Sequence, residues 1–504
     1  MAGGDNHKTS GFWQLLVPLT SLHPIVAGVL LITVPIFAYA FYNVFLHPLR
    51  GYPGPLLWRC FRFPYVVSTQ RGQIHRRYND FHAKYGPIVR IAPNELSYAD
   101  GRAFRDIYVN RPGHQPFEKT RTFFKKMSPD EPTTIMDWHE DNHARYRRAF
   151  ANAFSEKSLK SQAPVIEQHV DGFMAQLKKR KTVNLTDWFN FLTFDLAGDF
   201  SYGESFGCVD NGKAHPWVEI AQDFGKGLSM IAAVNLYPPI DKILRYIIPK
   251  RILQRSVDHR QMSYAQAKKR IARDVERPDW VTPTRKYTDQ KDHFTDQEWG
   301  MNLLVIAFAG SETTASALTA ITRMLVQHRG VLHRLTREIR EKFQDENQIT
   351  VATTSDLPFL NAVIHEGMRL GPPVVIGLPR VVPEGGDLVC DRWVPGGTYV
   401  VFNQFSAFRQ SYNFSNPNSF IPERFLTPNK NDDMTVFQPF QMGRHMCIGM
   451  KVAYQELRLI LSRLLWSFDL VLKDPNDVWD WGEQSTYILW EKKPLEVVLR
   501  HVNK

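Results

Sequence analysis

The sequence predicts a mainly α-helical protein with smaller β-sheets, carried behind a single transmembrane helix. Three observations predict this. The run Pro24 to Phe45, PIVAGVLLITVPIFAYAFYNVF, carries no charged side chain. From there to about residue 370 the apolar residues recur mostly at helical spacing. After Gly371, prolines and glycines break the chain into short β-type runs.

Residues 1–23 read as a short lumenal tail ahead of a transmembrane anchor at 24–45. About 20 apolar residues span a bilayer as a helix. A secretory signal has a shorter apolar stretch and a small-residue cleavage site, so it fits less well. Pro35 kinks such a helix without forbidding it. Arg50, Arg59 and Arg62 follow the run and Lys8 alone precedes it, which puts the bulk of the chain in the cytoplasm. The stretch 46–55, with HPLRGYPGP, predicts a stiff, non-helical joint, because proline fixes φ and glycine permits sharp turns.

Residues 56–504 then read as one globular domain, with no linker-like stretch to divide it. GQIHRRYNDFHAKYGPIVRIAPNELSYA gives an amphipathic helix and two strands with a turn at APNE. LHRLTREIREKF, Leu332 to Phe343, shows the helical period, and VVIGLPRVVPEGGDLVCDRWVPGGTYVVF carries the β signal. A last long helix starts near Ile448, and the C-terminus returns to strands.

Composition narrows the class. With 504 residues, 43% of them hydrophobic, the chain can build a large core. The four cysteines, Cys60, Cys208, Cys390 and Cys447, are far apart and form no CxxC. That excludes a disulfide framework, a zinc ribbon and covalent c-type haem attachment, and it suits a reducing compartment. The net charge of +11 reads either as general solubility or as a face for an acidic partner or anionic lipid. No basic cluster interleaved with aromatics points to nucleic acid.

Four stretches carry chemistry. In NLLVIAFAGSETTASALTAI, Gly310, Ser311, Glu312, Thr313 and Thr314 interrupt an apolar helix. A carboxylate and hydroxyls there are costly without a role. They read either as a locally opened helix carrying an acid–alcohol proton relay, or as a solvent-facing patch at a bend. In HEGMRL, Glu366 and Arg369 share a helix face, and FIPERF supplies Arg424. These read as a surface ion pair of little worth, or as a buried carboxylate locked by two guanidiniums. In PFQMGRHMCIGM, Cys447 sits among Phe440, Gly443 and Gly449, just ahead of a long helix. Taken alone, Cys447 is a buried thiol, half of a disulfide, a nucleophile or a metal ligand. The helix start favours negative charge and the glycines admit a planar group.

In this order and spacing the four stretches resemble the cytochrome P450 family of haem-thiolate monooxygenases. Phe440-x-x-Gly443-x-His445-x-Cys447-x-Gly449 is similar to its haem-binding signature, and Ala309-Gly310-Ser311-Glu312-Thr313-Thr314 to its oxygen-activation motif. Glu366-x-x-Arg369 and Pro422-Glu423-Arg424-Phe425 match its structural lock. The resemblance runs from the anchor to the end of the chain. HPLRGYPGP, RIAPNELSY and RPGHQPF further resemble fungal membrane-bound enzymes of secondary metabolism, in the neighbourhood of the isotrichodermin hydroxylases.

The resemblance implies the cytochrome P450 fold, with 56–504 as a haem-binding catalytic domain and haem b held by Cys447 as axial thiolate. It makes Glu312 and Thr313 the catalytic relay. Ala309, Gly310, Phe440 and Gly449 border the haem, and His143, Arg147, Arg380 and His445 reach its propionates. His143 stands where the family usually has Trp, and His445 where it usually has Arg. Either histidine gives up its proton more readily near neutrality than the usual residue would. The resemblance also implies an endoplasmic-reticulum enzyme, single-pass, with a cytoplasmic catalytic domain. It would insert one oxygen atom from O2 into an apolar small molecule, as a tailoring step on a terpenoid, polyketide or alkaloid. Electrons would come from NADPH-cytochrome P450 reductase, with cytochrome b5 as a second donor. A haem-thiolate isomerase or dehydratase that uses no O2, and a non-catalytic haem sensor or carrier, are the rival readings. Pocket walls are expected from Pro116 to Asp137, Phe224 to Pro239, Asn302 to Ala309, after Pro373, and Glu483 to Tyr487, with Asn235, Asn302 and Gln484 as polar contacts.

Overall fold

The computed structural model describes residues 24–125, 131–238, 240–244, 246, 248–427 and 429–502. The expected lumenal tail, 1–23, lies outside the described residues. The apolar run forms helix α1, Pro24–Phe41, extended by one π-helical turn over Tyr42–Leu46. Pro24–Leu46 has a mean hydropathy of 2.2, and none of its apolar window is buried. A helix with no polar face whose apolar side chains stay unburied has the properties of a bilayer span.

The joint differs from expectation. Pro48–Gly51 is a 3₁₀ turn. Proline at its first position has no N–H to leave unsatisfied, and the Leu49 N–H donates to His47 Nδ1 at 3.0 Å. The anchor is also tied to the globular part. Asn43 Nδ2 donates to the Cys60 carbonyl at 3.0 Å, and buried Arg90 Nη1 donates to the Asn43 carbonyl at 2.8 Å.

Helix α2, Ile74–Tyr85, leads into β1, Ile88–Ala92, and β2, Glu95–Tyr98, which pair antiparallel across the APNE turn. After β3, Glu118–Lys119, come α3, Glu140–Ala151, and α4, Glu156–Lys178. Strand β4, Thr182–Asn184, precedes α5, Leu185–Tyr202. Next follow α6, Pro216–Asn235, α7, Lys250–Ala272, the long α8, Asp296–Gln327, α9, Arg329–Lys342, and α10, Pro358–Leu370. Beyond Gly371 the chain adds β5, Arg380–Val381, and β6, Tyr399–Phe402, then α11, Met450–Ser467, and finally β7, Phe468–Leu472, and β8, Glu496–His501. The larger sheet has the order β1-β2-β6-β5-β3, and a smaller one the order β4-β8-β7.

Helix α8 is the axis of the main core. It starts at a capping box between Thr295 and Glu298, which satisfies the free N–H groups of its first turn. It packs on α5, α7, α10 and α11. It is apolar enough to cross a membrane, but 67% of its apolar window is buried in protein, so it is a core helix. Its hydroxyls keep it closed: Ser311 Oγ donates to the Ala307 carbonyl at 2.8 Å, and Thr313 Oγ1 to the Ala309 carbonyl at 2.6 Å. The locally opened helix expected at Gly310 to Thr314 is therefore not present. Back-bonding to the preceding turn takes up the hydroxyls without breaking the ladder.

The carboxylate of Glu366 is fully buried. Arg369 Nε donates to its Oε2 at 2.7 Å, and Arg424 Nε to its Oε1 at 3.1 Å. Arg424 also reaches Asp432 Oδ2 at 2.5 Å, and Arg369 Nη1 donates to the Phe408 and Pro417 carbonyls at 2.6 Å each. The surface-pair reading of these residues is excluded, since both side chains of the Glu366–Arg369 pair have zero exposure. The lock pins α10 to the Pro422–Phe425 turn and the loop that leads to Cys447.

Candidate active site

Helices α8 and α11, strand β5 and the loop 437–449 converge on one cavity. It encloses about 1090 Å³ of atom-free space, mouth included. Ile135, Val305, Ile306, Leu378 and Phe440 give it apolar walls. Cys447 stands on one side, and Ala309, Gly310 and Thr313 of α8 also line it.

The loop that presents Cys447 is built on Gly443. Its φ is +72°, and a Cβ there would lie 2.2 Å from the Tyr108 carbonyl oxygen. Only glycine fits both constraints. The Cys447 N–H donates to the Phe440 carbonyl at 2.9 Å and closes the loop. Helix α11 then begins with Gly449 as its N-cap. A Cβ on Gly449 would meet only Cys447 Sγ, at 4.0 Å, so this side of the loop is open for a flat group to approach. Burial pushes the Cys447 thiol up, while the Gly449 N–H and the charge of Arg147 pull it back toward thiolate. Arg147 is fixed by donating to the Met446 carbonyl at 2.6 Å.

A second group of residues gathers positive charge. Lys119 on β3 and Arg380 on β5 are direct cross-strand partners, and both are buried. Like charges placed opposite each other destabilise a sheet unless something neutralises them. Burial, and then the charge of Arg380, lowers Lys119 to about 7. Lys119 Nζ donates to the Asp137 carbonyl at 2.8 Å. Arg380 Nη1 is spent on the Leu378 and Pro379 carbonyls, but its buried Nη2 has no partner. An anionic group at this edge would satisfy that nitrogen and separate the two cations.

His143 and His445 lie beside these cations but face each other. His445 Nε2 is 3.0 Å from Glu140 Oε1, and His445 Nδ1 is 3.2 Å from His143 Nε2. Burial lowers His445 to about 4 and His143 to about 3, so both are neutral at pH 7. Burial pushes Glu140 up, but His445 and Arg444 more than offset it and bring it to about 2. A carboxylate only accepts, so the network assigns His445 the Nε2–H tautomer, and His143 Nε2–H donates to His445 Nδ1. The imidazole N–H groups that would reach a propionate are thus used within the chain. Arg380 and Lys119 offer the donors at this edge instead.

Glu312 and Thr313 part company. Thr313 lines the cavity; Glu312 does not. Its Oε1 is paired with the Lys492 ammonium, which also donates to Asn190 Oδ1 at 3.1 Å and Ser316 Oγ at 3.3 Å. Among the expected substrate contacts, Asn302 Oδ1 accepts the Ile135 N–H at 2.8 Å and Gln484 Oε1 accepts the Lys493 N–H at 2.7 Å. Neither amide lines the cavity; Asn302 holds Ile135, which does. The sequence reading missed Lys119, Lys492 and Glu456. Lys119 sits on a two-residue strand and Lys492 in an irregular stretch, and Glu456 resembles any polar residue of an amphipathic helix.

Comparison with known proteins decides the family. A family model described as Cytochrome P450 matches residues 50–499. The chain belongs to the cytochrome P450 family. It is 38% identical over 473 residues to cytochrome P450 monooxygenase astJ of Aspergillus oryzae, covering 92% of this chain and 94% of that protein. It is 37% identical over 497 residues to cytochrome P450 monooxygenase atr2 of Stereocaulon alpinum, covering 96% and 97%. It is also 37% identical over 512 residues to an averantin hydroxylase of Aspergillus parasiticus, over the full length of both. As a member of this group the chain is a haem-thiolate monooxygenase that tailors secondary metabolites. It uses haem b with a cysteine thiolate as axial ligand. It therefore works with a redox partner and a small-molecule substrate, and its N-terminal apolar helix is a candidate membrane anchor. An apolar slot, a thiol at a helix start, and an unpartnered guanidinium nitrogen beside a second buried cation suit a flat apolar ring with acidic arms.

Proposed function

We propose that Cys447 is the axial thiolate and that the cavity it faces holds haem and substrate together. The observation that carries this is the placement of Cys447 and Thr313 on one apolar cavity with Arg380 and Lys119 at its edge. Ala309, Gly310, Phe440 and Gly449 shape the faces against the ring. Arg380, Lys119 and Arg147 neutralise the propionates, and His143 and His445, fixed by Glu140, back them. Haem bound there supplies the activation of O2 and the insertion of one oxygen atom into substrate. Thr313 holds a hydrogen-bonded proton at its Oγ1 inside the cavity. Glu312, tied to Lys492, is the outer carboxylate of that relay. The walls exclude water, and they accept a bulky apolar substrate.

The domain reading is a cytoplasmic catalytic domain over 56–504, behind a joint at 46–55 and an anchor at 24–45 that crosses the endoplasmic-reticulum membrane once. The electron donor is NADPH-cytochrome P450 reductase, with cytochrome b5 as a second donor. Arg444 and Lys451, paired with Glu140 and Glu156, put positive charge near Cys447 for an acidic partner. Because two similar proteins are named for averantin, that compound is the first substrate to try. Membranes bearing the chain and the reductase are incubated with NADPH, averantin and labelled O2. The reading predicts a product that carries one labelled oxygen atom and requires both NADPH and reductase. A product formed without O2, or labelled from water, would favour the isomerase or dehydratase reading instead.

A further inference from the structure

A second cleft lies between α9 and β7 and encloses about 1260 Å³ of atom-free space, mouth included. It sits at the far end of α11 from Cys447. There Arg340 Nη2 donates to the Leu465 carbonyl at 2.8 Å and to the Phe468 carbonyl at 3.2 Å. The 18 residues of α11 measure roughly 27 Å at 1.5 Å per residue, so the cleft is remote from the Cys447 loop.

One wall is a charged stripe. Arg329, His333 and Arg337 line the cleft at successive spacings of four on α9, so they share a face, while Leu335 and Ile339 are buried on another. Arg500 of β8 adds a third arginine from the sheet. Arg340 is paired with Asp469 at 2.8 Å, whereas Arg329, Arg337 and Arg500 form no ion pair among the described residues. Against these three cations the cleft sets one further carboxylate, Glu341. Leu332 and Val471 make part of its lining apolar.

The other wall is a strand edge. Strand β7 ends the order β4-β8-β7, so β8 covers it on one side only. The Val502 N–H donates to the Ser467 carbonyl at 3.2 Å and the Lys473 N–H to the Glu496 carbonyl at 3.1 Å, and between them Asp469 faces Arg500 and Val471 faces Val498. In an antiparallel ladder these alternate residues turn their peptide groups toward the partner, and those between turn theirs away. The peptide groups of Leu470 and Leu472 therefore lie on the free edge. An open edge is a template for another chain, and the charges beside it decide which chain can approach.

We propose that this cleft docks an acidic, extended segment of a partner protein, which adds to the edge of β7 as a further strand and sets its carboxylates against Arg329, Arg337 and Arg500. The free peptide groups take the main chain of the segment. The guanidinium fork suits carboxylates, and these three arginines have no acid of their own. Side chains alternate along a strand, so a segment with acidic residues on one face keeps the other for apolar contact. The competing explanation is that the arginines only guard the edge against pairing, as charged residues at sheet edges do.

The test uses the full-length holoenzyme in nanodiscs of neutral lipid and a fluorescent, acetylated peptide of four Glu-Val repeats. Fluorescence anisotropy should show saturable binding of one peptide per enzyme, weakening as salt is raised. The same peptide with Lys for Glu should not bind. Arg337→Glu combined with Arg500→Glu should weaken binding about tenfold or more, the effect of losing charge-assisted bonds, while the reduced, carbon monoxide-bound spectrum and product formation stay as in the parent. Arg337→Ala alone, on an exposed position of α9, should weaken binding in the same direction and serves where the double variant does not fold. Two further peptides carry N-methyl groups on every Val or on every Glu. Both keep all the charges, and only alternate peptide groups of a strand face its neighbour, so at least one of the two should lose binding. Three results would overturn the proposal. Absence of saturable binding by the Glu-Val peptide would leave the arginines as guards of the edge. Binding unchanged in both arginine variants would place the peptide elsewhere on the protein. Binding of both N-methylated peptides as tight as that of the parent peptide would leave charge pairing without strand addition.

Discussion

Thr313 and Glu312 are neighbours in sequence and lie on different sides of α8. A helix advances roughly 100° per residue, so adjacent side chains point in different directions. Thr313 lines the cavity and Glu312 is held by Lys492. The two replacements should therefore behave differently. Thr313→Ala removes the hydroxyl inside the cavity and should leave haem content and substrate binding nearly unchanged. In a reconstituted system the ratio of product to NADPH oxidised should fall, with more hydrogen peroxide. An unchanged ratio would remove Thr313 from the relay. At this scale the sequence was legible where a residue's role is local. Gly443 and Gly449 sit within a few positions of Cys447, and their function is to shape that loop. It was not legible where the role depends on what the fold brings alongside. Nothing near Lys119 in sequence indicates that Arg380 will be its cross-strand partner. The resemblance put His445 at a propionate, whereas its engagement with Glu140 and His143 depends on how α3 packs against the Cys447 loop.

The lock between α10 and the loop before Cys447 is the element on which the site's geometry depends. Glu366 is buried and bonded to two arginines and to the Ile421 N–H at 2.8 Å. Removing Arg424 leaves Glu366 with Arg369 alone and deprives the buried Asp432 carboxylate of its cation, and an uncompensated buried charge costs about 3–5 kcal/mol. Arg424→Ala should therefore lower the melting temperature sharply and yield mostly haem-free protein. A variant with normal haem content and melting would contradict the lock. The anchor is the second element with a separable role. Deleting residues 1–46 should move most of the protein from the membrane pellet to the soluble fraction with haem binding kept. Exposed Leu56, Leu57, Phe63, Ile240, Ile243 and Tyr246 offer apolar surface for a residual membrane association. A full-length protein that is soluble without detergent would contradict the anchor. Element types followed from periodicity because α2, α9 and α11 bury one apolar face. The joint was misread because proline and glycine are compatible with a 3₁₀ turn as well as with extended chain. The opened helix was misread because the hydroxyls found acceptors one turn back.

Across the whole molecule, several histidines are buried in neutral form. Burial lowers His75, His82, His259 and His365 to about 4 each. In the unfolded chain they titrate near 6.5. Between these values the unfolded state binds more protons than the folded one, so stability falls as pH falls. The melting temperature should therefore drop from about pH 6.5 downward, before most carboxylates begin to protonate near 4.5. A melting temperature flat from pH 7 to pH 5 would contradict this. The fold as a whole was readable because several motifs widely separated in the chain had to meet at one place. The substrate was not, because the cavity walls combine side chains from many elements whose packing no local pattern encodes. The central claim is that Cys447 presents a thiolate to haem. The direct measurement is the Soret band of the reduced, carbon monoxide-bound protein in membranes, for the parent and for Cys447→Ser. The parent should show the red-shifted band of thiolate ligation, and Cys447→Ser should lose it. A variant that keeps that band would contradict the assignment on which the rest of the site is built.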